Sequence, residues 1–381
     1  MKRYRLEPRP APPPGLVLAV SCGAVVAALV VTGFIFLGFG HNPITAYAQL
    51  FAATLGDLRG VSEVLRKTVP LLLCGVGLVL AFRLQFWNIG AEGQILAGAA
   101  GAAGVALFVP GLGPATLPAM FAAGFVAGAA WGFLPAILKA RLGVSEIITT
   151  LMMNYIAFYL VQYLILGPWR GQEARGFAYT DRFPPEAALP LLPGTRLPWP
   201  TLVVAVALVL FVAFLLSRTR LGFEVRVIGQ SAHAARYAGM GFTRVTLLVM
   251  GLSAGAAGLA GVGEVAGVHL RLLDPAQISL GYGYTAIIVA LLARGHPLAT
   301  LLTATFLGLV FAMGDTMRVV LGLPFQMTGV ISGLVLFFII AAEPVLRYRL
   351  RRAPAAPLQA PEAATPEPAK EVARGARELA D

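Results

Sequence analysis

The sequence predicts an all-α integral membrane protein with about ten transmembrane helices, both termini cytoplasmic and the helices grouped as two inverted five-helix units. Three observations lead there. Hydrophobic residues fill 58% of the 381 positions and charged residues only 12%, against roughly 25% charged in an average soluble domain. Apolar runs of about 20 residues recur, the length a helix needs to cross the hydrocarbon while bonding its own backbone. With both termini inside, 20 of the 29 Lys and Arg residues fall in segments on the cytoplasmic face, where such residues collect.

The runs lie at residues 15–40, 62–82, 87–109, 117–138, 146–167, 199–217, 245–268, 277–293, 297–320 and 325–346. The first follows the basic stretch MKRYRLEPR. It is too long for the core of a signal peptide and shows no cleavage site, so it reads as a retained span. The run at 277–293 is the weakest. Ten spans split into two units of five, and an odd number per unit forces the second to be inverted. The expected layout is a basic cytoplasmic N-terminus (1–14), a transmembrane domain (15–346) and a basic, then disordered, cytoplasmic tail (347–381). The tail after Arg352 is rich in Ala, Pro and Glu, too polar to bury a core. The formal net charge of +11 reads as topology plus contact with anionic membrane lipid, not as a nucleic-acid surface.

Several chemistries lack their residues. The sequence contains no G-x-x-x-x-G-K-[ST] loop, no H-E-x-x-H and no G-x-S-x-G, so ATP hydrolysis, zinc hydrolysis and the serine elbow have no local signature. His41, His233, His269 and His296 lie far apart, and Cys22 and Cys74 sit inside apolar runs. No metal site and no catalytic residue is expected.

Polar residues inside the spans are the remaining candidates, because an ionisable group in hydrocarbon costs about 2.5–3.5 kcal/mol at mid-helix and usually faces a cavity or a partner. Glu92 and Glu146 stand near the cytoplasmic starts of their runs, Glu264 and Asp315 near outer ends. The membrane centre therefore reads as nearly free of charge, unlike an ion-coupled carrier. In GVSEIITTLMMNYIAFYL, Glu146, Thr150 and Asn154 share a helical face, with Ser145 and Glu146 reading as the helix cap. Thr150 and Asn154 either line a solute path or bond a neighbouring helix.

In FWNIGAEGQ and the run after it, helical geometry aligns Gly90, Gly93, Ala97, Gly101 and Gly104 in one stripe with Gln94 at its margin. Asn88 and Glu92 fall on the opposite face. Gln94 meets a close-packed helix or the path, while Asn88 and Glu92 read as gate or structural residues. Gly251, Gly255 and Gly258 invite close helix packing. Glu264 shares a face with Ser253, Ala257 and Ala260, which permits a small-lined groove ending in a carboxylate. Tyr284 heads the weak eighth run and offers an interfacial anchor or a stacking surface. The outer loop 168–198 reads as an ordered, irregular docking surface. In the cytoplasmic loop 218–244, a short helix is expected over Ser231–Tyr237, with Gly239 as its stop.

Five ordered blocks, FWNIGAEGQILAGA, SEIITTLMMNYIA, GQSAHAARYAGM, SAGAAGLAGVGEVAG and GYGYTAIIVALLARGHPLA, resemble ATP-binding-cassette importer permeases of the branched-chain amino acid and ribose type. The match runs over residues 60–345 and is closest to the branch that imports nucleosides or simple sugars with a basic-membrane-protein lipoprotein. The resemblance implies a type II-like permease subunit of the plasma membrane that is not itself an enzyme. It implies a second permease subunit, a different chain or a copy. It also implies ATP-binding subunits holding ATP and Mg on the cytoplasmic side and an extracellular solute-binding lipoprotein. Ala234, Ala235, Arg236, Tyr237, Ala238 and Gly239 would form the coupling helix, and this chain would bind no cofactor. An ion-coupled secondary transporter of a small polar solute is the alternative.

Overall fold

A computed structural model describes residues 4–8, 13–172, 176–324 and 326–352. The chain divides into two units, Gly23–Ile340 and Met1–Cys22 with Ala341–Asp381. In the smaller one, β1 (Tyr4–Pro8) pairs antiparallel with β2 (Tyr348–Arg352), Tyr4 opposite Arg352 and Pro8 opposite Tyr348. These strands are the one departure from an all-helical chain among the described residues. The second strand lies in the basic start of the C-terminal segment; residues 353–381, expected to be disordered, lie outside the described residues.

Ten helical segments among the described residues are long and apolar enough to span a membrane. They are carried by α1 (Pro14–Gly38), α3 (Leu58–Arg83), α4 (Ala91–Phe108), α5 (Thr116–Leu142), α6 (Glu146–Leu166), α7 (Trp199–Arg218), α10 (Phe242–Glu264), the pair α11 (Pro275–Ser279) and α12 (Tyr282–Leu292), α13 (Ala299–Val320) and α14 (Met327–Arg347). Three further elements complete the set. They are α2 (Pro43–Leu55), α8 (Arg220–Gln230) and α9 (Ala232–Tyr237). The sequence reading did not anticipate α2 or α8. Helix α2 starts on an Asn42 cap whose side chain accepts the Ile44 N–H, with proline in its first turn. Its 13 residues span only about 20 Å at 1.5 Å per residue, too short to cross. It buries Ala46 and Leu50 against Val310, Met313 and Met317 of α13.

Helices α3 and α10 form the centre of the larger unit, buried along most of their length, whereas α6 and α7 are mostly exposed. Glycine makes the centre tight. A Cβ on Gly258 of α10 would collide with the Gly124 carbonyl of α5, and one on Gly98 of α4 would collide with the Gly258 backbone. Such close approach is how helices gain packing contact in lipid, where hydrophobic drive is absent. The predicted stripe on α4 is thereby corrected. Gly93 faces Asn154 of α6, Gly101 faces Ala123 and Ala127 of α5, and Gly98, outside the stripe, meets α10. Gly251 and Gly255 receive the Phe133 and Phe125 rings rather than a backbone.

Two spans are interrupted. The third does not start at residue 87: residues 84–90 are non-helical, with Gln85 at φ 60°, and α4 begins at Ala91. The eighth is split by Leu280 (φ 46°) and Gly281 (φ 77°) between α11 and α12. The N-termini of α4 and α12 meet, since a Cβ on Gly283 would strike the backbone of Glu92. From that meeting point α12 heads for the basic turn at Arg294, while α4 heads for the ends that carry no such cluster. This is a local inverted relation of the kind expected of two opposed halves.

Candidate functional site

The FWNIGAEGQ segment is deeper than the sequence suggested. Gln94 approaches Gly132, which precedes Lys139 by seven residues, and Glu92 approaches Gly283, eleven residues before Arg294. At ~1.5 Å per residue this puts the segment about 10–16 Å inside the basic ends of the helices, near the middle of a ~30 Å hydrocarbon layer. The non-helical residues 84–90 carry the chain there. The expectation of a charge-free centre is therefore corrected: Glu92 stands in it, buried.

Both carboxylate oxygens of Glu92 are engaged by backbone. Its Oε1 accepts the Gly281 N–H (3.1 Å) and its Oε2 the Gly283 N–H (2.8 Å), the unsatisfied donors at the start of α12. A carboxylate in that position is stabilised by the helix dipole and fixes the break in the eighth span. Asn88, expected on the face opposite Gln94, instead folds back onto it. Its Nδ2 donates to Gln94 Oε1 (3.0 Å), Gln94 Nε2 donates to Asn88 Oδ1 (3.1 Å), and Oδ1 also accepts the Gly90 N–H (2.9 Å). The face assignment failed because Asn88 lies outside the helix.

From α6, Thr150 and Asn154 close the same knot. Thr150 Oγ1 accepts the Ile89 N–H (3.1 Å); Asn154 Oδ1 accepts the Gly93 N–H (2.8 Å) and its Nδ2 donates to the Ile89 carbonyl (2.9 Å) and to the Tyr284 hydroxyl (3.3 Å). The Glu146, Thr150, Asn154 face is real and buried. Thr150 and Asn154 are taken up by neighbouring backbone and Gln94 by Asn88, so all three bridge segments of the knot. Glu146 pairs with Lys139 at 2.6 Å. Ser145 occupies the cap position but its hydroxyl caps nothing; its carbonyl accepts from Thr149.

Away from the knot, some buried polar atoms are not satisfied. Glu264 Oε2, His269 Nε2 and the Tyr282 hydroxyl are buried without a hydrogen-bond partner, and Glu264 and His269 stand 3.8 Å apart. Glu264 ends α10, where a π-helical turn, Val265–His269, leads into the outer loop. That loop is ordered where described and docks on the turn: Thr180 N–H reaches the Leu272 carbonyl (2.9 Å), Phe183 N–H that of Leu270 (2.8 Å) and Leu189 N–H that of Ala266 (2.9 Å). The groove expected along Ser253, Ala257 and Ala260 is filled by neighbouring helices, Ser253 facing Asn88 and Gly77. At Glu264 a narrow cleft remains, lined by Arg66, Ala260 and Gly263.

At the basic end, Ser231 caps α9 through Ala234 N–H (3.2 Å), and Gly239 follows it at φ 72°. Ala235 points inward and is buried, whereas Tyr237 is 84% exposed. Behind α9, Gly229 of α8 packs on the Arg83 carbonyl. The short helix thus stands exposed on one side and braced on the bundle on the other. Its start and stop were legible from Ser231 and Gly239.

Residues 60–340 match the family model described as branched-chain amino acid transport system, permease component. A glucose ABC transporter permease of Haloferax volcanii is 38% identical over 356 residues, covering 91% of this chain and 93% of the relative. A guanosine ABC transporter permease of Bacillus subtilis is 30% identical, covering 86% and 94%. A nucleoside ABC transporter permease of Lactococcus lactis subsp. cremoris is 30% identical, covering 87% and 93%. No solved structure matches.

Proposed function

We propose that this chain, which belongs to the family of permease components of branched-chain amino acid transport systems, carries a neutral, hydroxyl-rich solute, a nucleoside or a simple sugar. It is a multi-pass plasma-membrane transport subunit of the ABC type and not an enzyme. ATPase and solute-binding partners follow from the family in general terms. The observation that carries the solute assignment is the chemistry shared by the relatives' solutes: glucose, guanosine and other nucleosides are uncharged and bear adjacent hydroxyls.

The finer reading places the basic helix ends and both termini in the cytoplasm, by the positive-inside rule. A second permease, a different chain or a copy, completes the pathway; two ATP-binding subunits hold ATP and Mg; a lipoprotein delivers the solute outside. Closure of the ATP-binding subunits pushes on α9, residues Ala234 to Gly239, and the braced α8–α9 segment passes the motion to α3 through Arg83. Against an ion-coupled carrier stands the use made of Glu92, whose two oxygens accept the backbone N–H groups at the start of α12.

The test is uptake by the reconstituted complex in proteoliposomes, with tritiated guanosine and tritiated glucose. ATP-dependent accumulation of one of them, indifferent to a protonophore, is expected. Uptake that survives omission of the ATP-binding subunits and collapses with a protonophore would overturn the reading.

A further inference from the structure

Between the end of α2, the start of α3, the loop at 194–196 and the end of α13 lies a cavity of about 770 Å³, within the size range of small-molecule sites. It opens at the ends opposite the basic cluster. Its charges balance: Asp57, Glu63 and Asp315 face Arg59, Arg66 and Arg196. Hydroxyls of Thr54, Ser62, Thr195 and Thr316 fill the spaces between, and no aromatic residue lines it.

Each part of this composition excludes a class of ligand. Three carboxylates interspersed with three guanidiniums, with Lys67 behind Asp315, present no single-sign surface to an anion or a cation. Without an aromatic face there is nothing to stack a nucleobase. What remains is a neutral molecule whose hydroxyls donate to carboxylates and accept from guanidiniums. The groups are held in place by each other: Arg66 bonds Glu63 at 2.7 Å, Asp315 pairs with the buried Lys67 at 3.2 Å, and Thr54 and Thr316 share a hydrogen bond of 3.1 Å. Their geometry is set before any solute arrives.

A second observation points inward from the same place. Arg66 lines both this cavity and the narrow cleft behind it that reaches Glu264. Glu264 Oε2 and the Tyr282 hydroxyl are almost fully buried and have no partner. A buried carboxylate oxygen and a buried phenol without bonds are costly, and such groups call for an absent partner.

We propose that the outer cavity is a solute-binding station that reads the hydroxyls of the sugar moiety, with Glu63, Arg66 and Asp315 as its hydrogen-bonding groups and Glu264 as the next contact inward. It selects the polyol and ignores the base, which lets one site serve a free sugar or a nucleoside. This rests on the solute class proposed above.

The experiment compares ATP-dependent proteoliposome uptake of guanosine with 2′,3′-dideoxyguanosine, and of glucose with 3-deoxyglucose, in the parent complex and in Glu63→Gln. In the parent the hydroxylated member is preferred. Glu63→Gln is expected to lower kcat/KM for that member about tenfold more than for the deoxy member, as when a site built for a hydroxyl loses its partner. Thr316→Val, which removes one hydroxyl at constant shape, gives a loss of about threefold in the same sense and serves if Glu63→Gln fails to assemble. A drop by the same factor for both members, or an unchanged preference, overturns the station. If the parent moves neither pair, the solute class itself is wrong and the station falls with it.

Discussion

Two buried polar regions of this permease share residue types and differ in what their atoms do. In the knot at mid-depth, Asn88, Glu92, Gln94, Thr150 and Asn154 are joined to one another and to backbone N–H and carbonyl groups of α4, α12 and the 84–90 segment. Away from the knot, Glu264 and Tyr282 are as enclosed and His269 partly so, yet each leaves a buried atom without a hydrogen bond. A carboxylate inside a membrane therefore has two meanings. Where its oxygens are satisfied by the fold it fixes helices, and where they are not it keeps capacity for something that passes.

The strongest way to break this contrast is to disturb the knot's closest contact. In Gly283→Ala the new methyl strikes the Glu92 backbone and parts α4 from α12, costing about 3 kcal/mol, the upper range for overpacking. Little assembled complex should survive size-exclusion chromatography. Next comes Glu92→Gln, which sets an amide N–H₂ against backbone donors at α12 and is expected to cost about 2–3 kcal/mol, read as a drop in Tm of the purified complex. Normal assembly and transport in Glu92→Gln would reduce the knot to local capping.

Asn154→Leu strands the Gly93 N–H and the Ile89 carbonyl, for about 1–3 kcal/mol. Its surviving complexes should transport with parental solute preference. At the proposed coupling end, Gly239→Val strains a residue at φ 72° by about 1–2 kcal/mol. Its expected signature is ATP hydrolysis without matching uptake. Glu264→Gln has the smallest effect on stability, within about 1 kcal/mol, because the carboxylate lacks hydrogen bonds to lose. Its effect belongs to solute preference.

How much of this was legible in the sequence follows from local physics. The ten spans could be read from apolar length alone, and α9 from Ser231 and Gly239. Residues 84–90 were misread because Ile89, Gly90 and Ala91 continue an apolar run, and hydropathy does not distinguish a buried extended segment from a helix. That error carried Asn88 to the wrong face and Glu92 to the wrong depth. Helix α2 was missed because 13 residues fall below spanning length, though Asn42-Pro43 is a start signal. Thr150, Asn154 and Gln94 were correctly marked as polar faces. Whether such a face binds a solute or a backbone depends on neighbours some sixty or more residues away in the chain, which no local pattern records. Tyr282, between Gly281 and Gly283, is fully buried, which the apolar run around it does not announce.

The central claim, that satisfied polar groups hold the fold while unsatisfied ones meet the solute, is tested most directly by one ratio. The kcat/KM for guanosine over 2′,3′-dideoxyguanosine, or for glucose over 3-deoxyglucose, is measured per assembled complex for Asn154→Leu and Glu264→Gln side by side. A parental ratio in Asn154→Leu and a lowered one in Glu264→Gln is the predicted result. The reverse, a ratio that moves with Asn154 and stays fixed with Glu264, would contradict it.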